Sequence, residues 1–153
     1  LIAEKRFQMA ADPKHKYVQP KAKKPVPHIN FAPLLNAGQQ LEAAAAAFHT
    51  TLVPIQSGEH KLTPAQLAKL NQNIYQTERA LIHDGGLPRR PWFRHQIYAP
   101  GFYTGYGVKT IPGVREAIEN HDWAGIGEQI QNATAAINRL AAQIRVATDA
   151  LAN

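Results

Sequence analysis

The sequence has no cysteine among its 153 residues, and charged side chains make up only 18% of it. Without cysteine the chain has no disulfide framework, no thiolate metal site and no thiol nucleophile. No apolar run approaches the ~20 residues that a membrane-spanning helix requires. The chain also lacks a Gly-x-Ser-x-Gly nucleophile elbow, a phosphate-binding glycine loop and a dinucleotide-binding fingerprint. What remains, with 44% hydrophobic residues, is typical of one globular domain with a substantial core.

The histidines are numerous but show no metal-binding pattern. They lie at positions 15, 28, 49, 60, 83, 95 and 121, and no pair has the i, i+4 spacing of a helical zinc site. Two carboxylates, Glu116 and Glu119, lie one helical turn apart, but the flanking sequence indicates an exposed helix face. We therefore predict no catalytic residue and no metal ligand in this chain, and we interpret the histidines as structural or surface side chains.

The net charge of +6 comes largely from the first 24 residues. Seven of the 17 basic side chains lie there together with Pro13 and Pro20, and Pro25 and Pro27 follow directly. Proline at this density fixes φ and removes backbone donors, which favours an extended connector. Only Tyr17 lies among the lysines, whereas base stacking on nucleic acid uses several aromatic rings. We predict a solvated linker that does not bind nucleic acid.

The chain divides into two parts. It begins at Leu1 rather than at Met, without a recognisable signal peptide, so we expect a processed chain or a fragment of a longer one. In residues 1–29 we predict the end of a helix followed by the Pro/Lys-rich connector. Residues 30–153 have the periodicity of helices, and we predict an all-α domain, an up-and-down bundle of the four-helix type with almost no sheet.

The first two helices have clear boundary signals. Asn30 is the predicted N-cap of a helix whose apolar residues recur at steps of three and four from 31 to 52, and Pro54 is predicted to end it. Thr63 and Pro64 then predict a second start, with threonine as the cap and proline at the first helical position. The glycines at 85 and 86 are predicted to end that helix.

The last helix has the strongest periodicity in the sequence. After a short predicted helix over 114–120, Asp122 is the expected cap of this longest helix. Its apolar residues form an unbroken stripe that predicts a packing seam, in the bundle or between two copies. The large side chains of this seam are Trp123, Ile126, Ile130, Ile137, Leu140, Ile144 and Leu151. Small residues such as Ala136 and Ala141 lie beside the seam and permit another helix to approach closely.

Residues 87–112 form a different kind of segment, rich in proline, glycine and aromatic side chains. Six aromatics lie in it: Trp92, Phe93, Tyr98, Phe102, Tyr103 and Tyr106. Glycine-rich loops are usually poor in aromatic residues, so we expect this loop to pack against something.

In and around this loop the sequence resembles a known family. The residues that carry the resemblance are Glu78-Arg79-Ala80, Gly86-Leu87-Pro88-x-Arg90-Pro91 and Arg94-His95-x-Ile97-Tyr98-Ala99-Pro100, followed by Tyr106 and Pro112-Gly113. Their order and spacing are similar to those of the transferrin receptor-like dimerisation domain at the C-terminus of glutamate carboxypeptidase II-like zinc metallopeptidases. The resemblance covers roughly residues 30–153 in layout and is strongest over 78–118.

The resemblance implies that the parent protein is a homodimer in which this domain pairs with its copy. It also implies that the domain packs on a peptidase domain of the same parent chain. It places two zinc ions and their ligands in that peptidase domain, so this chain is expected to hold no cofactor and to have no activity alone. Parents of this family commonly work outside the cytoplasm, as secreted or membrane-anchored hydrolases, and we expect an extracytoplasmic location without membrane contact by this segment. The alternative is a domain of a non-catalytic, transferrin receptor-like receptor.

The resemblance also implies a role for the aromatic loop in completing the substrate pocket. In the carboxypeptidases a Lys-Tyr pair on this loop contacts the carboxylates of the substrate peptide. Here the tyrosine corresponds to Tyr106, but Gly105 stands at the lysine position, which weakens the expectation of specificity for glutamate. The predicted substrate-binding residues are Tyr106, Tyr103, Thr104 and Lys109, with simple loop packing of Tyr106 as the alternative. The arginines at 90 and 94 are expected to hold the loop through carbonyls or an acidic partner.

Overall fold

A computed structural model of the chain describes residues 25–152, in which four α-helices dominate. The helices are α1 (Ala32–Gln56), α2 (Pro64–Thr77), α3 (Pro112–Glu119) and α4 (Ile126–Ala152), and a 3₁₀ turn (Glu78–Leu81) extends α2. Two three-residue strands, β1 (Tyr98–Pro100) and β2 (Val108–Thr110), form an antiparallel hairpin between α2 and α3. The prediction of a mostly α-helical domain is confirmed. The helix end and most of the connector predicted before residue 25 lie outside the described residues.

The boundaries of α1 differ slightly from the predicted ones. Asn30 accepts a hydrogen bond from the Ala32 N–H through Oδ1 (3.0 Å), but Phe31 occupies the N-cap position. Pro54 lies inside the helix, which continues to Gln56. The prediction that Pro54 ends α1 is therefore wrong, because a proline in the last turn removes only one helical hydrogen bond. Gly58, at φ +81°, follows in the left-handed conformation typical of a helix terminus.

The start of α2 is as predicted, whereas its end comes earlier. Thr63 Oγ1 accepts the Gln66 N–H (3.2 Å) and Gln66 Oε1 accepts the Thr63 N–H (2.9 Å), which together form a capping box. The helix does not reach the glycines at 85 and 86. Ile82 turns extended (φ −87°, ψ 139°) and pairs with His95 in an isolated bridge, which draws the chain away from the helix axis.

The start of α4 requires a correction. Asp122 Oδ1 accepts the Gly125 N–H (3.1 Å), but this bond closes a turn, and the helix itself begins at Ile126. Trp123 therefore lies in the turn that precedes the helix. Its indole still packs, together with Phe31 and Leu34, on the buried cluster that contains Ile126.

The long helices α1 and α2 both pack on α4, but the backbones of α1 and α2 do not come within 8 Å of each other (Cα to Cα). Helix α1 runs parallel to α4, because its start packs on the cluster around Ile130 and its end packs on the cluster formed by Ala147 and Leu151. Helix α2 runs antiparallel to α4, with Leu70 in the second cluster. At the other end of α2, Arg139 donates to the carbonyl oxygens of Ala80 (2.9 Å) and Ile82 (2.8 Å).

The two ends of the predicted seam contribute to the two buried clusters. Ile126, Ile130 and Leu151 are buried in the two clusters, whereas Trp123, Ile137, Leu140 and Ile144 are half-buried. The positions of α4 with no exposed surface are Ala136 and Ala141, beside the seam.

Among the described residues, no helix combines the length and the apolar character that a bilayer span demands.

Candidate functional site

The hairpin between α2 and α3 presents the predicted substrate-binding residues. In the ladder Tyr98 pairs with Thr110 and Pro100 with Val108, and the Gly101 N–H donates to the Gly107 carbonyl oxygen (2.9 Å) just beyond it. The tip between these glycines carries Tyr103, Thr104 and Tyr106, all three exposed. Tyr106 is completely exposed, and it follows Gly105, whose φ of +57° is left-handed. The structure therefore brings three of the four predicted residues together at one tip.

A buried ion pair anchors this hairpin to α3. Arg90 and Glu116 are 3% and 6% exposed, and Arg90 Nη2 donates to Glu116 Oε1 at 2.7 Å. The same carboxylate oxygen accepts the Phe102 N–H (2.8 Å), and Arg90 also donates to the Pro100 carbonyl oxygen. One carboxylate thus holds both the arginine and the backbone that leads into the hairpin tip. Such charge-assisted bonds in a dry environment are strong and directional.

The position of Glu116 corrects the sequence analysis. The prediction of an exposed helix face is wrong for Glu116, because the segment from 87 to 102 folds over that face of α3 and brings Arg90 to it. The role expected for the arginines agrees with the structure. Arg90 binds a carbonyl and an acidic partner, and the exposed Arg94 donates to Asp84.

Arg89 organises the aromatic side chains at the base of the tip. Its backbone is left-handed (φ 63°), and its guanidinium lies 4.0 Å from the centroid of the Phe102 ring. Nη1 donates to the Tyr103 hydroxyl (3.1 Å), and the rings of Phe102 and Tyr103 meet edge to face at 4.8 Å. Arg89 and Tyr103 also border an open depression of about 390 Å³ against α3, on whose floor lies the buried Gln129. Tyr103 is therefore exposed but is held in place by Arg89 and Phe102, whereas the whole phenol ring of Tyr106 lies in solvent.

Lys109 is placed differently from the other predicted residues. Its side chain is buried under the hairpin, and its ammonium forms an ion pair with Glu119. The Glu119 carboxylate also accepts a hydrogen bond from Arg115 Nε (3.1 Å). The hydrogen bond from Lys109 lowers the pKa of the Glu119 carboxyl below its ordinary value. A Cβ at Gly101 would overlap the aliphatic stem of Lys109, so the glycine makes room for it. In this arrangement the stem of Lys109 passes beneath Gly101, and its ammonium fastens β2 to α3 through Glu119.

A second polar cluster supports the other edge of the hairpin. His95 Nδ1 accepts the backbone N–H groups of Ile97 and Tyr98 (both 3.2 Å), and its Nε2 lies 3.1 Å from Glu78 Oε1. The Tyr98 hydroxyl donates to the same Glu78 oxygen (2.8 Å), and this hydrogen bond raises the pKa of Tyr98. His95 therefore has a structural role. Nowhere within residues 25–152 do three or more His, Asp or Glu side chains assemble in a way that would hold a metal ion.

The fold and the hairpin define a helical domain with an anchored aromatic tip, and comparison with known proteins specifies its family. The family model of the transferrin receptor-like dimerisation domain matches residues 29–145. The chain belongs to this family. The resemblance that the motifs around the hairpin indicated is thereby confirmed.

Three curated relatives that match the chain are peptidases by name. A probable glutamate carboxypeptidase (LAMP1) of Arabidopsis thaliana is 38% identical over 79 residues, or 47% of this chain. A probable glutamate carboxypeptidase of Arthroderma benhamiae is 34% identical over 103 residues, or 64% of this chain. Aminopeptidase NAALADL1 of Rattus norvegicus is 26% identical over 130 residues, or 80% of this chain. The chain spans only 12%, 14% and 17% of the lengths of these three relatives.

Proposed function

We propose that this domain pairs two copies of a zinc-dependent carboxypeptidase and that its hairpin tip completes the substrate pocket of the peptidase domain. The observation that carries the second part is the contrast between a rigid base and an open tip. Arg90 and Glu116 hold the base in a buried network, whereas Tyr106 is completely exposed. Binding groups are often placed in this way, on a loop that a rigid scaffold positions.

The chemistry of the tip favours recognition of a carboxylate by a neutral donor. The Tyr106 phenol donates one hydrogen bond and presents an apolar ring, which suits the α-carboxylate end of a peptide. Gly105 carries no charge beside it, and Lys109 is paired with Glu119. The remaining cation at the base of the tip is Arg89, whose guanidinium stacks on Phe102 and donates to the Tyr103 hydroxyl. We propose recognition of the peptide α-carboxylate without specificity for glutamate.

The remaining parts of the proposal concern the whole protein. The zinc ions and the catalytic residues belong to the peptidase domain, and the chain of 153 residues has no peptidase activity by itself. We propose an extracytoplasmic location for the parent, in keeping with the secreted and membrane-anchored members of the family. The partners of this domain are a second copy, the peptidase domain of its own chain and the peptide substrate, and nucleic acid and membrane lipid are not among them.

The test of pocket completion uses the full-length peptidase that carries this domain. Tyr106→Phe removes only the hydroxyl, and we expect it to raise KM for peptides with a free C-terminal carboxylate while peptides with a C-terminal amide are unaffected. Tyr75→Phe is the matched control, because Tyr75 is another exposed tyrosine, on α2 and away from the hairpin. Equal effects of the two variants, or an equal effect on both kinds of peptide, would contradict the proposal.

The non-catalytic role of the domain is tested on the chain alone. Incubated with zinc and a peptide library, it is expected to show no turnover, and turnover that a chelator abolishes would contradict this expectation. A full-length parent without any zinc-dependent peptidase activity would instead favour a non-catalytic receptor.

A further inference from the structure

Helix α1 has two stripes of residues, and only one of them is used within the domain. The stripe that faces α4 is buried or half-buried and includes Leu34, Ala37, Leu41, Ala44, Phe48 and Leu52. A second stripe lies about a third of a turn further round the helix, also at steps of three and four. All of its members are exposed: Leu35, Gly38, Glu42, Ala45, Ala46, His49, Val53 and Gln56. Two of them, Leu35 (65% exposed) and Val53 (45%), are large apolar residues without a partner in the described residues.

The central part of this exposed stripe, from Gly38 to Val53, is self-complementary. Consider two antiparallel copies of α1 related by a two-fold axis midway between Ala45 and Ala46. A residue of one copy then faces the residue of the other copy for which the two residue numbers sum to 91. Glu42 then faces the partner's His49, and Gly38 faces the partner's Val53. Because an isologous interface repeats every contact, both pairs occur twice.

The chemistry of the facing pairs is favourable. The Glu42 carboxylate accepts a hydrogen bond from the imidazole N–H of the opposing His49. A Cβ added at Gly38 would meet nothing within 4 Å, so there is open space into which the opposing Val53 side chain fits. At the axis, the alanines 45 and 46 permit the two backbones to approach closely, as small residues do at helix contacts. We propose that this α1 stripe is the surface through which two copies of the domain associate, an inference that rests on the proposed role in pairing.

The exposed apolar face of α2 does not have this property. On α2, Leu67, Ile74 and Tyr75 are exposed, but the helix carries Lys69 and no carboxylate between Pro64 and Thr77. Two antiparallel copies of α2 therefore offer no pair of opposite charges that would fix their register. The distribution of charge therefore favours α1 over α2 as the self-associating face.

The test exploits the absence of cysteine, because any introduced thiol is unique in the chain. In Ala46→Cys the thiol lies beside the two-fold axis, on the same side of the interface as its copy. In Ala47→Cys the thiol is displaced by one residue along the helix but points about 100° away, out of the interface. Both positions are exposed, and circular dichroism verifies that both variants are folded. Under mild oxidation we expect Ala46→Cys to form a covalent dimer at protein concentrations at which Ala47→Cys stays monomeric.

A charge exchange tests the register independently of disulfide chemistry. Glu42→Lys places a cation opposite His49 in both symmetric pairs, and we expect the dimer dissociation constant to rise roughly tenfold. Glu42→His combined with His49→Glu restores the facing pairs with their positions exchanged, and we expect an affinity close to that of the wild type.

The possible outcomes separate this inference from the proposed function. A wild-type chain that light scattering finds monomeric at every concentration would overturn both the pairing role of the isolated domain and the α1 surface. A wild-type dimer in which Ala46→Cys and Ala47→Cys cross-link equally, or in which Glu42→Lys has no effect, would overturn only the α1 surface. In that case the pairing role stands and another face carries it.

Discussion

The anchor of the hairpin provides the sharpest prediction about stability. Glu116→Ala removes the carboxylate that Arg90 (2.7 Å) and the Phe102 N–H (2.8 Å) share, and it leaves a guanidinium 3% exposed without its charge partner. Removing one member of a buried ion pair costs about 3–5 kcal/mol, because the remaining charge is desolvated and uncompensated. Since a domain of this kind has about 5–15 kcal/mol of stability in total, the variant is expected to lose a large share of it. We expect a decrease of about 3 kcal/mol in the free energy of unfolding.

The assay is urea denaturation followed by circular dichroism at 222 nm, at neutral pH. Glu116→Gln is an informative second variant, since its amide oxygen still accepts a hydrogen bond and its cost is expected to be smaller. Arg90→Met and the double variant with Glu116→Ala complete a cycle, in which the double variant should cost clearly less than the sum of the single ones. A cost below about 1 kcal/mol for Glu116→Ala, or strict additivity in the cycle, would refute the reasoning, because only an exposed ion pair contributes so little.

Three further predictions concern the edges of the fold. Lys109 lowers the pKa of Glu119, so this pKa is lower in the folded chain than in the unfolded chain. The ion pair therefore stabilises the fold at neutral pH, and its contribution to the free energy of unfolding is lost as pH falls through the lowered pKa. Urea denaturation at several pH values should show the difference between wild type and Glu119→Gln disappear in acid, and a difference that grows in acid would contradict this. Thr63→Ala removes the cap of α2 and is expected to lower the free energy of unfolding by about 1 kcal/mol in the same assay at neutral pH. The control is Thr50→Ala, at an exposed position inside α1, which is expected not to lower it. Gly86→Ala places a Cβ at φ +64° against the Pro91 carbonyl and should lower stability by at least about 2 kcal/mol, whereas Gly127→Ala, where nothing lies within 4 Å, should not.

The sequence predicted the helices well because their signals are local. The steps of three and four that define α1 and α4, and the Thr63-Pro64 start of α2, depend only on neighbouring residues along one helix. The errors lie at helix ends. Pro54 and the glycines at 85 and 86 are strong stop signals, yet α1 runs past the first and α2 stops before the second. Helix ends depend on what the chain does next, as with the Ile82 bridge to His95.

The candidate site was predicted in part. The family motifs pointed to the loop and to Tyr103, Thr104 and Tyr106, which the structure brings together at one exposed tip. Lys109, three residues beyond Tyr106 in sequence, lies instead beneath the hairpin beside Glu119. Its position follows from the alternation of strand β2, in which Lys109 points inward and its neighbours point outward. A two-residue alternation in so short a strand is too weak a signal to recognise in advance.

The sequence by itself determined that this chain is a mostly helical domain, with the family motifs at residues 78–113, because periodicity, caps and motifs are properties of neighbouring residues. A structural role for Arg90 was expected from the sequence, but only the tertiary structure identified Glu116 as its buried partner. Arg90 and Glu116 are 26 residues apart and look like surface side chains in sequence, yet they are buried together at the base of the hairpin. Burial changes the energy of a charge more than any local pattern does, and burial is decided by which elements meet.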